Sequence, residues 1–254
     1  MNNIVLKELN FSYKNKQVLN NISANFEENE ISVILGLNGC GKTTILKLIT
    51  GLLKIKENTI SLNELNINEI KNHQLSKLVS YVPQLINNNN TFLVQDFLMF
   101  SFANRLKFYS QPSKEQLGIV KGIAKEFLIE DLLDQSIAHL SGGQKQMVYI
   151  CSAIIQDTPI IVLDEPLSAL DLKNQYKIIE ILKKLKDKGK TIILSCHNPN
   201  ICLHLDAKVF LIKEGKLINQ GPARKIITPV ILKEIYGNNL KYSKESDYDE
   251  ITFR

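Results

Sequence analysis

Between Gly36 and Thr44 the chain reads Gly-Leu-Asn-Gly-Cys-Gly-Lys-Thr-Thr, three glycines in six positions followed by a cation and two hydroxyls. Glycines at 36, 39 and 41 allow a backbone to curl until its N–H groups face one point, and such a point attracts an anion. Lys42 adds a point charge suited to β- and γ-phosphates, and the Thr43 hydroxyl is placed to hold Mg²⁺. A second chemical pair, Asp164 and Glu165, ends the apolar run "IIVLDEP". One carboxylate can orient Mg²⁺ through water while its neighbour polarises an attacking water, a division of labour that phosphoryl transfer needs. A third motif, "LSGGQ" at Leu140 to Gln144, has Ser141 as a helix N-cap. Gly142 and Gly143 leave N–H groups for a second anion, with Gln144 closing the motif. Spacing leaves open which phosphate this second site serves. The crowded "CHNPNICLH" holds Cys196, His197, Cys202 and His204 but matches no paired zinc-ligand spacing, so no structural metal is expected.

These groups need elements to hold them. Ile31 to Leu35 has strand length, and Ile45, Leu46, Leu48, Ile49, Leu52 and Leu53 follow at helical spacing, making strand, glycine turn and helix. Before it, two β-type stretches flank a turn at Lys14 to Gln17, with Ile22, Ala24 and Phe26 alternating as in a half-buried antiparallel strand. "NTISL" and "LVSYVPQ" read as further strands, and Leu85 to Asn90 as a polar loop. From Val94 to Gln156 the pattern is helical: Ser113 and Gln116 form a capping box ahead of a stripe of Leu117, Val120, Ala124, Phe127 and Leu128. "PIIVLDEP", a helix from Leu172 to Leu185, the strand "KTIILSCH" and a hairpin turning at Glu214 to Gly215 complete a mostly parallel sheet. Thr228 and Pro229 start a last helix that ends at Gly237, and a charged tail follows, expected to be loosely held.

The 254 residues, 44% hydrophobic, suffice for one large domain with an inserted subdomain. The start lacks a signal peptide's basic and apolar regions, no run reaches membrane-spanning length, and four unpaired-looking cysteines suit a reducing compartment. A net charge of +5 with dispersed lysines gives no indication of a nucleic-acid groove, and no nucleic-acid partner is expected.

"GLNGCGKTT", "LSGGQ", "IIVLDEP", "SALD" and "LSCH", in that order over nearly the whole chain, resemble the nucleotide-binding subunit of an ABC transporter. The resemblance implies an α/β fold: a P-loop NTPase (RecA-like) core with an antiparallel β flank and an inserted α-helical subdomain. It places one ABC ATPase domain at 1–237, its core at 1–85 and 157–227 and its helical insert at about 86–156, with a C-terminal helix and charged tail at 228–254. ATP and Mg²⁺ are the implied cofactors. Asn38, Cys40 and Thr44 join Gly36, Gly39, Gly41, Lys42 and Thr43 around the phosphates; Tyr13 matches the aromatic that stacks on adenine. Gln84 matches the residue that approaches Mg²⁺ and senses the permease, Glu165 the general base, Asp171 the loop facing a partner site, and His197 the switch histidine on the γ-phosphate. Two copies are implied head to tail, the Ser141–Gln144 signature of each covering the nucleotide of the other, on the cytoplasmic face of a membrane as a peripheral subunit. Thr43 for the commoner serine and Asn198 for an aspartate after His197 depart from the pattern without removing a catalytic group.

"DEPLSALDLKNQ", with Gln175, and "NQGPARKIITPVILKEIYG" resemble subunits serving iron-siderophore, haem or cobalamin permeases. Integral-membrane permease subunits, docking near Gln84 and the Thr91 to Phe108 region, and indirectly a substrate-binding protein, are the implied partners. Among Phe92, Phe97, Phe100 and Phe102, exposed rings suit that docking, most of the four being expected in the core. A soluble ABC ATPase, a transporter of another substrate and a non-catalytic scaffold are the competing classes. Retention of Lys42, Glu165 and His197 disfavours the scaffold.

Overall fold

The computed structural model describes residues 3–55, 58–84, 91–104 and 113–237, and by backbone alone 240–244 and 249–253. The chain opens with an antiparallel pair, β1 (Ile4–Tyr13) and β2 (Lys16–Phe26), in which Ile22, Ala24 and Phe26 alternate inward as their pattern requires. The connecting turn is shorter than Lys14 to Gln17: Tyr13 pairs with Lys16, so only Lys14 and Asn15 turn, Lys14 at φ 51°. β3 (Ile31–Leu35) leads through the glycine turn into α1 (Lys42–Ile49). That helix stops at Thr50, with Gly51 at φ +70° beyond it, so Leu52, read as part of the helical stripe, lies exposed outside the helix.

β4 (Ile60–Leu62) and β5 (Leu65–Asn66) extend the first sheet in the order β2-β1-β4-β5. α2 (Asn72–Leu78), which the sequence did not disclose, runs directly into β6 (Val79–Val82). Next come α3 (Val94–Phe100), α4 (Lys114–Phe127) and α5 (Gly142–Gln156), which pack on one another. The box on α4 forms as expected, Gln116 N donating to Ser113 Oγ and Ser113 N to Gln116 Oε1. Val120, Ala124 and Phe127 are buried, but Leu128 is not in the stripe. It is the left-handed C-cap at φ 56°, a conformation that turns its side chain to solvent. The loop at 85–90 lies outside the described residues, as do 105–108 of the expected docking region.

β7 (Ile160–Leu163), α6 (Leu172–Asp187), β8 (Thr191–Cys196), α7 (Pro199–His204), β9 (Lys208–Lys213) and β10 (Lys216–Pro222) complete the larger sheet, ordered β10-β9-β3-β8-β7-β6. Five of its strands run parallel, and β10 folds back antiparallel through the turn at Glu214 and Gly215. α8 (Ala223–Ile226) and α9 (Pro229–Tyr236) follow, the latter capped by Thr228. Within the tail, β11 (Leu240–Lys244) and β12 (Asp249–Phe253) pair antiparallel, strands that its charged composition did not announce. Among the described residues no helix is long and apolar enough to cross a membrane.

Strand periodicity divides the interior in two. Ile31, Val33, Leu163, Leu194 and Leu211 face a core shared with α3 to α9, while Ile34, Val162, Ile193 and Ile212 face one shared with α1 and the antiparallel sheet. A strand apolar on both faces belongs in the middle of a covered parallel sheet, and each fully buried Leu or Ile there contributes about 1.5–3 kcal/mol. This double packing fixes the C-terminal ends of β3, β7 and β8 side by side, and the chemistry-bearing residues follow those ends.

Candidate active site

Gly36 leaves β3 where there is no room for a side chain. A Cβ there would stand 2.3 Å from Ile212 O and 2.7 Å from Cys40 Sγ, and Gly36 N donates to Cys196 O at 3.2 Å. Gly41, at φ 110°, caps α1 without a side chain, and a Cβ on it would meet Leu19 Cδ2 at 2.6 Å. The opening N–H groups of α1 are thereby left for an anion. The loop is also held from outside. Gly215 N donates to Cys40 O at 3.1 Å while Gly215 O accepts from Asn20 N at 2.8 Å, so the turn joining β9 and β10 ties the glycine loop to β2. Burial pushes the Cys40 thiol above its usual range, with Lys42 pulling the other way.

Glu165 is the hub of the charged groups. Its Oε1 is 3.2 Å from Lys42 Nζ; both side chains are nearly enclosed, at 9% and 5% exposure. Its Oε2 accepts from Gln84 Nε2 at 3.4 Å and lies 3.3 Å from His197 Nδ1. Lys42 Nζ donates in addition to Gly36 O at 2.9 Å and Leu37 O at 3.1 Å, so the ammonium is pinned to its own loop. A buried pair of this kind costs about 3–5 kcal/mol to break from one side, which holds both groups in place until another charge enters. Behind them Asp164, 1% exposed, accepts from Ser195 Oγ at 2.6 Å and from Tyr81 OH at 3.5 Å. Burial first, then the Asp164 charge, pushes the Tyr81 phenol upward. Ser195 Oγ accepts in turn from Glu165 N at 2.8 Å, steadying a residue at φ 46°, a backbone conformation costly for a side chain with a Cβ. In front lies a cavity of 380 Å³, lined by Asn38, Gly39, Gly41, Lys42, Thr43 and Thr44 on the loop side, by Gln84 and Glu165 opposite, and by Val18 from β2.

A sequence profile of the ABC transporter family matches residues 19–168, more than half of the chain. The chain belongs to the ABC transporter family. The "Probable iron chelatin transport ATP-binding protein" of Helicobacter pylori is 34% identical over 238 residues, covering 93% of each chain. The petrobactin import ATP-binding protein YclP of Bacillus subtilis is 30% identical and covers 92% of each. The dimeric structure of a bacterial ABC transporter cassette superposes with a TM-score of 0.78 at 27% identity, covering 87% of this chain and 99% of that one. Membership makes the chain an ATP-binding ABC ATPase.

The family motifs do not all reach that cavity. Ser141, Gly142, Gly143 and Gln144 open α5 with a capping box, Gln144 N donating to Ser141 Oγ, but do not line it. They adjoin the next motif instead, since a Cβ on Gly143 would lie 3.1 Å from Ala169 O. Asp171 caps α6 by accepting from Asn174 N at 2.8 Å. Tyr13 ends β1, 43% exposed, its ring edge-on to Phe11 and outside the cavity lining. His197, 49% exposed, stands on the far side of Glu165, beside a 100 Å³ hollow that also contains Gln175 and Asn198. Of the four phenylalanines, Phe102 is buried and Phe97 packs on Tyr149. Phe92 and Phe100 are exposed and meet edge to face, 5.3 Å between centroids, beside a 420 Å³ groove that Met99 and Leu117 also line. Sequence reasoning missed Ser195 and Tyr81, and gave Gly215 only as a hairpin turn, not as a tie to the glycine loop. A serine inside the apolar run "TIILSC" was the available signal for the first.

Proposed function

We propose that this chain is the ATP-hydrolysing subunit of an importer of iron-siderophore, haem or cobalamin-type metal chelates, held peripherally at the cytoplasmic face of the membrane by its permease. The observation that carries the catalytic part is the Glu165 carboxylate, shared between Lys42, Gln84 and His197 at the mouth of the glycine loop. The γ-phosphate draws Lys42 away from Glu165, and the released carboxylate takes a proton from water as that water attacks the γ-phosphorus and the bond to the β–γ bridging oxygen breaks, releasing ADP and phosphate. His197 holds the γ-phosphate from the opposite side. Tyr13 is the adenine platform.

Mg²⁺ belongs to the same proposal. Thr43, Gln84 and, through water, Asp164 are hard oxygen ligands of the kind it prefers. Both carboxylate oxygens of Asp164 already accept hydrogen bonds, which suits a role at one remove from the ion. When bound, the ion neutralises charge on the phosphate oxygens.

A signature outside the cavity of its own chain supports a head-to-tail pair in which Ser141–Gln144 and Asp171 of each copy complete the site of the other. The relatives' import names support the cargo class, and the exposed Phe92 and Phe100 beside their groove support permease docking on the helical insert at about 86–156. A substrate-binding protein would act through the permease. The test is Glu165→Gln in the chain copurified with its membrane partner. ATP should still bind, turnover should fall by at least about a hundredfold, and a closed dimer should accumulate. Wild-type turnover in that variant removes Glu165 from its role, and a chain that copurifies with no integral-membrane protein removes the transporter.

A further inference from the structure

The phenol of Tyr236, last residue of α9, donates to the backbone oxygen of His197 at 2.9 Å, across 39 residues of sequence. We propose that Tyr236 is a positioning residue for ATP hydrolysis, its hydroxyl fixing the backbone of His197 so that the imidazole meets Glu165 and the γ-phosphate. This rests on the role given to His197 above.

The anchoring of α9 makes such a role mechanically sound. Thr228 caps the helix, Pro229 sets its first turn, and Leu232 and Ile235 are buried in the core that also receives β8 and α7. Lys213 of β9 donates to Glu234 O at 3.3 Å, tying the same turn of α9 to the sheet. The hydroxyl is thus carried by a ring packed on the core at the anchored end of α9. His197 needs such support because it sits where β8 has ended and α7 has not begun: Cys196 closes the strand, Asn198 caps the helix, and the imidazole is half exposed. On the near side, Asn198 N and O both lie 3.2 Å from Cys196 Sγ, which bends the chain tightly around His197. The Tyr236 contact reaches the His197 backbone from α9, while Gly36 N holds Cys196 O from the glycine loop. Burial pushes the phenol above its ordinary range, so it remains a donor throughout the working pH. The strand pair beyond α9 continues the linkage, β11 running beside α9 and β12 beside α7.

Tyr236→Phe deletes the hydroxyl and keeps the ring that packs on the core. Steady-state ATP hydrolysis by the full chain with its membrane partner, over a range of ATP concentrations, should show kcat lower by about fivefold, the weight of one neutral hydrogen bond, with KM for ATP unchanged within about twofold. In a His197→Ala background the same change should have no further effect, because two residues acting through one contact do not add. Unchanged kcat in Tyr236→Phe overturns the inference. So does an equal loss in both backgrounds, or a loss in which KM rises along with a falling thermal midpoint, since each describes a merely structural tyrosine. If His197→Ala alone turns over like wild type, the role of His197 fails and the inference falls with it, a result separable from the others by the single variant.

Discussion

Ser195→Ala isolates the device that holds both carboxylates of the site. The hydroxyl donates to Asp164 Oδ1 at 2.6 Å and accepts from Glu165 N at 2.8 Å, all three residues being enclosed. A hydrogen bond to a carboxylate is worth about 1.5–3 kcal/mol, and a buried N–H left without an acceptor costs about 1–3 kcal/mol. Allowing for some relaxation, the variant should lose about 3 kcal/mol, a large share of the stability of an ordinary domain. For a chain of this size that corresponds to a thermal midpoint lower by about 6–12 °C. Function should suffer separately. Glu165 sits at φ 46°, and without Ser195 its backbone can relax toward the right-handed region and swing the carboxylate away from Lys42. Turnover should therefore fall by at least about tenfold in protein that is still folded at the assay temperature, with nucleotide affinity little altered because the glycine loop is untouched. Urea unfolding gives the first number and single-turnover hydrolysis the second. A loss below about 0.5 kcal/mol together with wild-type turnover would refute the claim that Ser195 organises the site.

Gly36→Ala places a methyl group 2.3 Å from Ile212 O, a carbonyl held in β9 between two neighbouring strands, so the glycine loop must move. Calorimetric titration should show nucleotide binding lost, with a stability cost of about 2–3 kcal/mol; wild-type affinity would contradict the close approach. The thiols predict an alkaline limit. Burial pushes Cys196 up to about 12 from its ordinary 9, and Cys202 and Cys151 also well above 9. Folded pKa values above unfolded ones contribute stability in full below pH 9 that drains away as pH rises toward the folded values. Urea midpoints under reducing conditions should hold from pH 7 to 8.5 and fall steadily from 9 to 11, and Cys196 and Cys202 should resist alkylation in native protein at pH 8.5. Rapid labelling of both at that pH would contradict their burial.

Local chemistry made much of this legible. The hairpin at Glu214 and Gly215 follows from a turn with positive φ at both positions, and Ser113, Ser141 and Thr228 each cap the helix their position announces. The parallel sheet followed from apolar runs alternating with helical stretches. Short elements were not legible: α2, α7 and α8 have seven residues or fewer, too few to establish a period, and exist because tertiary packing holds them. Leu128 carried the right residue type at the right spacing but fell at the helix end, where backbone conformation outweighs hydrophobicity. Within the site, motifs named candidate residues but not how they bond. Lys42 and Glu165 are 123 positions apart, and nothing local in either segment announces their ion pair. The contacts of Ser195, Gly215 and Tyr236 were illegible for the same reason, since only the folded chain creates them.

The stitch at Gly215 sets the timing of recognition. Because its N–H and carbonyl clasp Cys40 and Asn20 in the folded chain itself, the cup proposed for a triphosphate is cast during folding. An arriving nucleotide meets a mould already hardened, and the disorder that would otherwise have to be quelled at the moment of capture was extinguished long before.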